Sequence, residues 1–258
     1  MIGREDEEIA RFRTSPLLTQ AGFRHAFFTR RGGVSTGPYA SLSFSVAAGD
    51  SEEHVARNVE RAAQVLGVSA DRVYYLSQVH GAAAIDVRGD EDRLEVLHWE
   101  ADAILGRNPD AALGVRMADC LPILVGDPTT GAAAAIHAGW RGLVRGVIGA
   151  GMDALRRQGA RGELLAAIGP HIGGAAFEVS DDVADELSRC SDARDAVDTR
   201  YGEKPHVHLV RVARAQLEAA GARVDVVDGC TYTDASEFFS FRRDGKRSGR
   251  HLAAIVPR

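Results

Sequence analysis

The 258-residue chain has only three cysteines, Cys120, Cys190 and Cys230, and they form neither a CxxC motif nor a disulfide framework. It also lacks any apolar run close to the roughly 20 residues that a membrane-spanning helix needs. Residues 1–8 are rich in acidic side chains and lack the apolar core of a signal peptide. These absences predict a soluble cytoplasmic protein whose thiols stay reduced.

The chain has no strong excess of either charge, with 31 basic and 36 acidic residues and a formal net charge of -5. Without a concentrated basic patch, we expect neither nucleic acid nor an anionic membrane as the main partner. The pairs Arg30-Arg31 and Arg242-Arg243 are short and separate, so each suggests at most a local anion site. The remaining composition, 45% hydrophobic and 26% charged, is that of an ordinary globular protein.

The order of apolar and polar segments favours one mixed α/β domain, without internal repeats or linkers. Loops are predicted at 88–100 and 192–204. Strands are predicted at 24–29, 73–76, 83–87, 121–125, 132–136, 207–210, 224–227 and 252–256, and helices at 50–66, 143–157, 180–190 and 212–220. Segments 101–105 and 113–116 precede the hairpin described below, and 164–168 is a further apolar run.

Two of the predicted helices carry local signals. Helix 50–66 begins with Asp50 and Glu53, which resemble a capping box, and Gly67 ends it. In helix 143–157, residues 149–154 formally fit a dinucleotide-binding fingerprint. That fingerprint needs a preceding strand, which is missing here, so we reject it.

The segment around residues 117–142 reads as a hairpin. The apolar runs 121–125 and 132–136 are separated by residues 126–131, which are rich in turn formers. If the two runs pair as antiparallel strands, Cys120 and His137 become neighbours at one edge of a sheet. A thiol and an imidazole in that position suit a functional site better than a core.

His80 shares the context of His137, because each follows a strand and precedes a glycine within two residues. Together with Cys120 they form a possible His-Cys-His set, which suits zinc and leaves a fourth position for water or substrate. Spacing alone leaves two other interpretations open. Cys120 can be a nucleophile with His137 as its base, or all three side chains can be structural.

Each of several neighbouring residues has one functional and one purely structural interpretation. Asp119 can orient an imidazole or act as an acid or base, or it can be a turn residue. Arg141 can bind phosphate near the helix that it opens, or form a surface salt bridge. His206 and His208 lie on one face of a predicted strand, where a metal pair is weakly indicated. The role of His171 stays open.

Three stretches make the chain resemble the YfiH-type family, long labelled multicopper polyphenol oxidase or laccase-domain proteins. They are Ser-Gln-Val-His-Gly with His80, Ala-Asp-Cys-Leu-Pro with Cys120, and Ile-His-Ala-Gly-Trp-Arg-Gly with His137. Shorter matches lie at 29–35, 169–170, 230–231, 239–243 and 249–250. The resemblance begins near residue 23, so we expect an N-terminal extension over 1–22 and a single catalytic domain over 23–258.

The resemblance implies that His80, Cys120 and His137 bind one zinc ion in a pocket of a domain with layered mixed β-sheets and flanking helices. It implies a purine nucleoside phosphorylase that converts adenosine, inosine or methylthioadenosine and phosphate to a base and ribose 1-phosphate. Adenosine deamination is the implied second activity. Copper stays an alternative metal, because His and Cys bind both ions.

On this basis we predict a catalytic group of His80, Asp119, Cys120 and His137. The candidate phosphate ligands are Arg30, Arg141, Arg242 and Arg250; we favour Arg30, because its Gly-Gly loop can add backbone amides. The family's usual Asn in a Ser-Leu-Asn-Leu segment is replaced here by Ser43, which lacks the paired donor and acceptor of an amide.

The label laccase does not fit the residues. A multicopper oxidase holds about four coppers, usually through repeated His-x-His pairs, and this chain has one such pair. Two other functions stay open. One is a metal-free cysteine hydrolase or amidase that uses Cys120 and His137, with a peptidoglycan precursor as its substrate. The other is a metal-binding module without turnover.

Overall fold

The computed structural model describes residues 9–199 and 204–258. Most of the chain folds into two mixed β-sheets with helices packed on their outer faces, as predicted. The strands are β1 Phe12–Arg13, β2 Arg24–Phe28, β3 Val73–Tyr75, β4 Ala84–Asp86, β5 Ala103–Gly106, β6 Ala112–Met117, β7 Leu121–Gly126, β8 Ala133–Ala138, β9 Leu164–Ile168, β10 Val197–Asp198, β11 His206–Val207, β12 Ala222–Val226 and β13 His251–Val256. The α-helices are α1 Pro16–Gln20, α2 Glu52–Leu66, α3 Arg93–Val96, α4 Trp140–Val144, α5 Val147–Arg157, α6 Asp181–Arg189, α7 Leu209–Ala219 and α8 Phe241–Asp244.

The two large sheets are mixed rather than purely parallel or antiparallel. The five-stranded sheet has the order β1-β2-β13-β6-β3, and the six-stranded sheet has the order β12-β9-β7-β8-β5-β4. Strands β10 and β11 form a separate antiparallel pair. No helix in the described ranges is long and apolar enough to cross a membrane.

The core lies in three layers, and strand alternation explains how one strand serves two of them. On β13, Ala253 and Ile255 join the apolar layer between the two sheets, while Leu252 and Ala254 face the layer under α2. A third layer packs α5 and α7 against the six-stranded sheet. Strands buried on both faces read as continuous apolar runs, which is why they are easily found in the sequence.

The capping box predicted at Asp50 and Glu53 is wrong. Helix α2 is capped by Ser51, whose hydroxyl accepts a hydrogen bond from His54 N at 3.1 Å. The Asp50 carboxylate instead accepts from the Ser35 hydroxyl at 2.6 Å, so a tertiary contact takes the place of the local one.

The single helix predicted over 143–157 is also wrong. It is two helices, α4 and α5, separated at Gly146, whose φ of 80° lies in the left-handed region. Gly149 and Gly151 lie inside α5, away from any strand-to-helix turn, in agreement with the rejected dinucleotide fingerprint.

Two predicted loops contain regular structure. Residues 88–100 include α3, whose Val96 is fully buried, and residues 192–204 include β10. Residues 200–203 of the second loop lie outside the described residues. The strand predicted over 207–210 ends at Val207, and His208 precedes α7. His206 and His208 therefore do not share a strand face, which removes the reason for proposing a metal pair there.

Candidate metal centre

The predicted hairpin is confirmed and brings two of the candidate residues together. Strands β7 and β8 pair antiparallel, with Leu121 opposite Ala138 and Pro122 opposite His137. Cys120 immediately precedes β7, and His137 lies near the end of β8. The two side chains therefore meet at one end of the hairpin.

His80 completes the group from the loop that follows β3. One possible ligand atom from each of His80, Cys120 and His137 lies within 4.8 Å of the others. The Cys120 Sγ is 3.9 Å from His80 Nε2, and the two imidazole rings meet edge-on with centroids 4.9 Å apart. His80 itself has a φ of 56°, so the backbone adopts an unfavourable conformation to present this side chain.

Asp102 is the residue that positions both histidines, and the sequence interpretation missed it. Its fully buried carboxylate accepts hydrogen bonds from the backbone amides of Val79, His80 and Gly81, at 3.2, 3.0 and 2.6 Å. The same carboxylate accepts from His137 Nδ1 at 2.8 Å. One side chain thus fixes the His80 loop to the ring of His137.

This hydrogen bond also sets the chemistry of His137. A ring that donates from Nδ1 keeps its Nε2 lone pair for a metal ion or a proton. Burial opposes charging of His137, but the Cys120 thiolate and Asp102 outweigh burial and raise its pKa to about 9. Burial likewise opposes ionisation of Cys120, yet His137 and His80 lower the pKa of the thiol to about 6. Without a metal, the site therefore favours a thiolate beside an imidazolium.

The three side chains fit a zinc ion. Histidine nitrogens and cysteine thiolates are common zinc donors, catalytic sites use three protein ligands, and tetrahedral zinc places such N and S atoms about 3.5 Å apart. The separation of 3.9 Å between His80 Nε2 and Cys120 Sγ is close to that value. Gly139 makes this approach possible, because a Cβ there would lie 2.9 Å from the Cys120 sulfur and 3.1 Å from His80 Cδ2.

Asp119 lies next to Cys120, and both of its carboxylate oxygens accept hydrogen bonds from distant segments of the chain. One carboxylate oxygen accepts from the Thr231 hydroxyl at 2.7 Å, and the other accepts from Arg242 N at 2.6 Å. Its carbonyl accepts from Ile172 N at 3.0 Å. Asp119 has a φ of 88°. Its hydrogen bonds hold two distant loops against the start of β7, next to Cys120.

The four candidate arginines occupy different surroundings. Arg30 donates to the carbonyls of Ala40 and Ala235, both at 2.9 Å. Arg242 donates to Glu178 O at 3.0 Å, and Arg141 stacks on the ring of Trp140 at 4.5 Å. Arg250 lies close enough to the cluster for the charges of Cys120 and Asp119 to oppose the fall in its pKa that burial causes.

His171 and Ser43 are buried close to these loops. His171 donates from Nδ1 to Gly169 O at 2.9 Å, and burial lowers its pKa. Ser43 is completely buried, and its hydroxyl accepts from Arg250 N at 3.4 Å. The position where the family usually has Asn therefore contacts the backbone of Arg250, one of the candidate phosphate ligands.

Comparison with known proteins agrees with this architecture. A family model described as multi-copper polyphenol oxidoreductase laccase matches residues 24–258. The chain belongs to this family. A purine nucleoside phosphorylase of Deinococcus radiodurans is 39% identical over 236 residues, which cover 91% of this chain and 89% of that protein. The purine nucleoside phosphorylase YfiH of Escherichia coli is 34% identical over 228 residues, which cover 88% of this chain and 90% of that protein.

Solved structures of the family share the whole fold. The YfiH protein of Bacillus licheniformis superposes with a TM-score of 0.88 at 28% identity, covering 99% of this chain and 98% of that one. A Neisseria meningitidis protein superposes with a TM-score of 0.81 at 34% identity, covering 95% of this chain and 98% of that one. The fold-class prediction is therefore confirmed.

Proposed function

We propose that the chain is a zinc-dependent purine nucleoside phosphorylase that also deaminates adenosine. The observation that carries the proposal is the cluster of His80, Cys120 and His137, in which Asp102 links the backbone of His80 to the ring of His137. It occurs in a chain that is 34–39% identical over most of its length to relatives named purine nucleoside phosphorylase. The substrates would be a purine nucleoside and inorganic phosphate.

The name of the family also raises copper oxidase chemistry, and the ligand count argues against it. Within residues 9–199 and 204–258, His80, Cys120 and His137 are the one group of three His, Cys, Asp or Glu residues arranged to hold a metal ion. Three ligands do not hold the roughly four coppers of a multicopper oxidase. Copper remains an alternative for the single ion, since the donor set accepts both metals.

In this mechanism the chain supplies position and charge. His80, Cys120 and His137 would hold the ion, while Asp102 keeps His137 in the tautomer with a free Nε2. A bound zinc ion would supply Lewis acidity, which polarises phosphoryl oxygens and lowers the pKa of water toward about 7. Arg250, beside Cys120, is placed to attract an anion, and Asp119 holds α8 and the Thr231 loop around the site.

A second candidate function is supported by a specific feature of the same group. The side chains are arranged in space as in a catalytic triad, in the order Asp102, His137 and Cys120. The carboxylate accepts a hydrogen bond from Nδ1 of the imidazole. The lowered pKa of Cys120, about 6, would supply a thiolate nucleophile at neutral pH. This arrangement suits a metal-free cysteine hydrolase or amidase.

Substitution of Cys120, with Cys190 as a matched control, tests the proposal. We expect Cys120→Ala to lose bound zinc, phosphate-dependent cleavage of inosine and deamination of adenosine, while Cys190→Ala keeps all three. Retained zinc with retained turnover in Cys120→Ala would overturn the assignment. Amide hydrolysis that survives chelation and is lost on alkylation of Cys120 would favour the hydrolase, and zinc-loaded protein without any turnover would favour a binding module.

A further inference from the structure

Arg116 is an arginine whose charge no acidic side chain of residues 9–199 and 204–258 neutralises. It lies on β6, on the segment of chain that leads into Cys120, and it forms no ion pair with a carboxylate in the described part of the protein. Its guanidinium donates to Phe44 O at 3.4 Å and to Leu76 O at 3.2 Å, and stacks on the Tyr75 ring at 4.5 Å. Its Nε is buried and has no hydrogen-bond partner.

Arg250 is a second arginine in the same situation. Its guanidinium donates to the carbonyls of Ser248 and Gly249, at 2.6 and 3.0 Å, and lies 5.5 Å from the Phe241 ring. Within residues 9–199 and 204–258 it also has no carboxylate ion pair. Both of its hydrogen bonds use Nη1, so Nε and Nη2 are the nitrogens that a ligand could contact.

The fold brings the two arginines together where β6 and β13 meet. Leu252 pairs with Arg116 and His251 pairs with Met117 across the two strands. Arg250 immediately precedes β13, so it lies beside the end of β6 that carries Arg116. The segment Ser43–Phe44 bridges them, since Phe44 O accepts from Arg116 while Ser43 Oγ and Phe44 N bond the backbone of Arg250.

Two partly buried arginines whose positive charges repel each other favour the binding of an anion. Burial lowers the pKa of Arg116, and the nearby charge of Arg250 lowers it further. A bound anion would relieve this repulsion. A planar guanidinium group can donate two parallel hydrogen bonds to two oxygens of a phosphate, which a halide does not offer. Arg250 also lies near Cys120, so an oxyanion held by the pair would lie beside the metal cluster.

We propose that Arg116 and Arg250 together form the subsite for the inorganic phosphate that attacks the nucleoside. This inference rests on the proposed function and adds Arg116, which the sequence interpretation did not select. It assigns the phosphate to the place where β6 ends and β13 begins, and leaves Arg30, Arg141 and Arg242 outside the subsite. The positions of Ser43 and Phe44 give the pair its spacing.

The test is calorimetric binding of inorganic phosphate to zinc-loaded protein, which does not depend on turnover. We expect Arg116→Met and Arg250→Met each to weaken phosphate binding by about tenfold or more, because each removes a charge-assisted contact. The matched control is Arg223→Met, on the exposed edge strand β12, which should bind phosphate like the parent protein. Zinc content should be unchanged in all three variants.

Steady-state kinetics gives a second measurement, and it distinguishes loss of a phosphate contact from a general structural effect of the substitution. Both site variants should raise the KM for phosphate in inosine cleavage by more than they raise the KM for inosine, while Arg223→Met should change neither KM. If Arg116→Met does not fold, Arg116→Lys keeps the charge but loses the planar donor pair, and it should still weaken binding.

The outcomes separate the two proposals. Phosphate binding that is absent in the parent protein, or unchanged in both arginine variants, overturns the subsite. Binding that depends on both arginines in a protein that never releases base from inosine supports the subsite as an oxyanion site and rejects the phosphorylase.

Discussion

Replacing Asp102 by Asn tests whether one carboxylate holds the metal cluster together. One oxygen of Asp102 accepts from His137 Nδ1 at 2.8 Å and His80 N at 3.0 Å. The other accepts from Gly81 N at 2.6 Å and Val79 N at 3.2 Å. Asparagine can keep the first pair of bonds, but its NH2 group then faces two backbone donors.

The size of the effect follows from these contacts. A hydrogen bond to a charged group contributes about 1.5–3 kcal/mol, and losing one leaves a buried amide without a partner. Loss of a residue that orients a metal-binding His lowers metal affinity by about 10- to 100-fold. We expect Asp102→Asn to lower zinc affinity by that factor and to lower the free energy of unfolding of the metal-free protein by about 2–4 kcal/mol.

Zinc affinity can be measured by competition with a chromophoric chelator, and stability by urea unfolding of the metal-free protein. Asp86→Asn is the matched control, because Asp86 is exposed on β4. The control should change neither quantity. If Asp102→Asn binds zinc as tightly as the parent protein, the account of how the His80 loop and His137 are positioned is wrong.

Three further predictions address other parts of the structure. In metal-free protein, the rate of Cys120 alkylation by iodoacetamide should rise with pH around a midpoint of about 6, since His137 and His80 outweigh burial and favour the thiolate. A midpoint of about 8.5, that of an ordinary thiol, would contradict this. Gly139→Ala should reduce bound zinc at equilibrium dialysis, because its Cβ would lie 2.9 Å from the Cys120 sulfur, and full zinc occupancy would show that the backbone yields there. Asn58→Ala should lower the free energy of unfolding, measured in urea, by about 2–4 kcal/mol, because Asn58 makes three buried or partly buried hydrogen bonds. Its Oδ1 accepts from Val34 N at 2.9 Å, and its Nδ2 donates to Ser35 Oγ and Ser43 O at 2.8 Å each. An unchanged unfolding midpoint would mean that these loops are held by other contacts.

The parts of the site that were predictable from sequence depend on local patterns. Cys120 and His137 flank two apolar runs with a turn between them, so strand pairing alone brings the two ends together. His80 is predictable because it shares the strand-to-glycine context of His137 and lies in one of the stretches that carry the family resemblance. The strands buried on both faces were found for a similar reason, since burial on both sides produces an uninterrupted apolar run.

The parts that were missed depend on contacts between distant segments. Asp102 is a single acid beside an apolar strand, and its partners Val79 to Gly81 lie on another loop. Nothing in the sequence around Arg116 shows that its guanidinium lacks a carboxylate. The predicted cap of α2 at Asp50 is wrong for a related reason. Ser51 caps the helix, while the Asp50 carboxylate accepts a hydrogen bond from the distant Ser35 hydroxyl.

The central claim is tested most directly by phosphate-dependent release of hypoxanthine from inosine, with bound metal quantified before and after chelation. The account predicts about one zinc ion per chain, base release that requires phosphate, loss of release on chelation, and recovery when zinc is restored. Zinc-loaded protein that releases no base from inosine and no inosine from adenosine would contradict it.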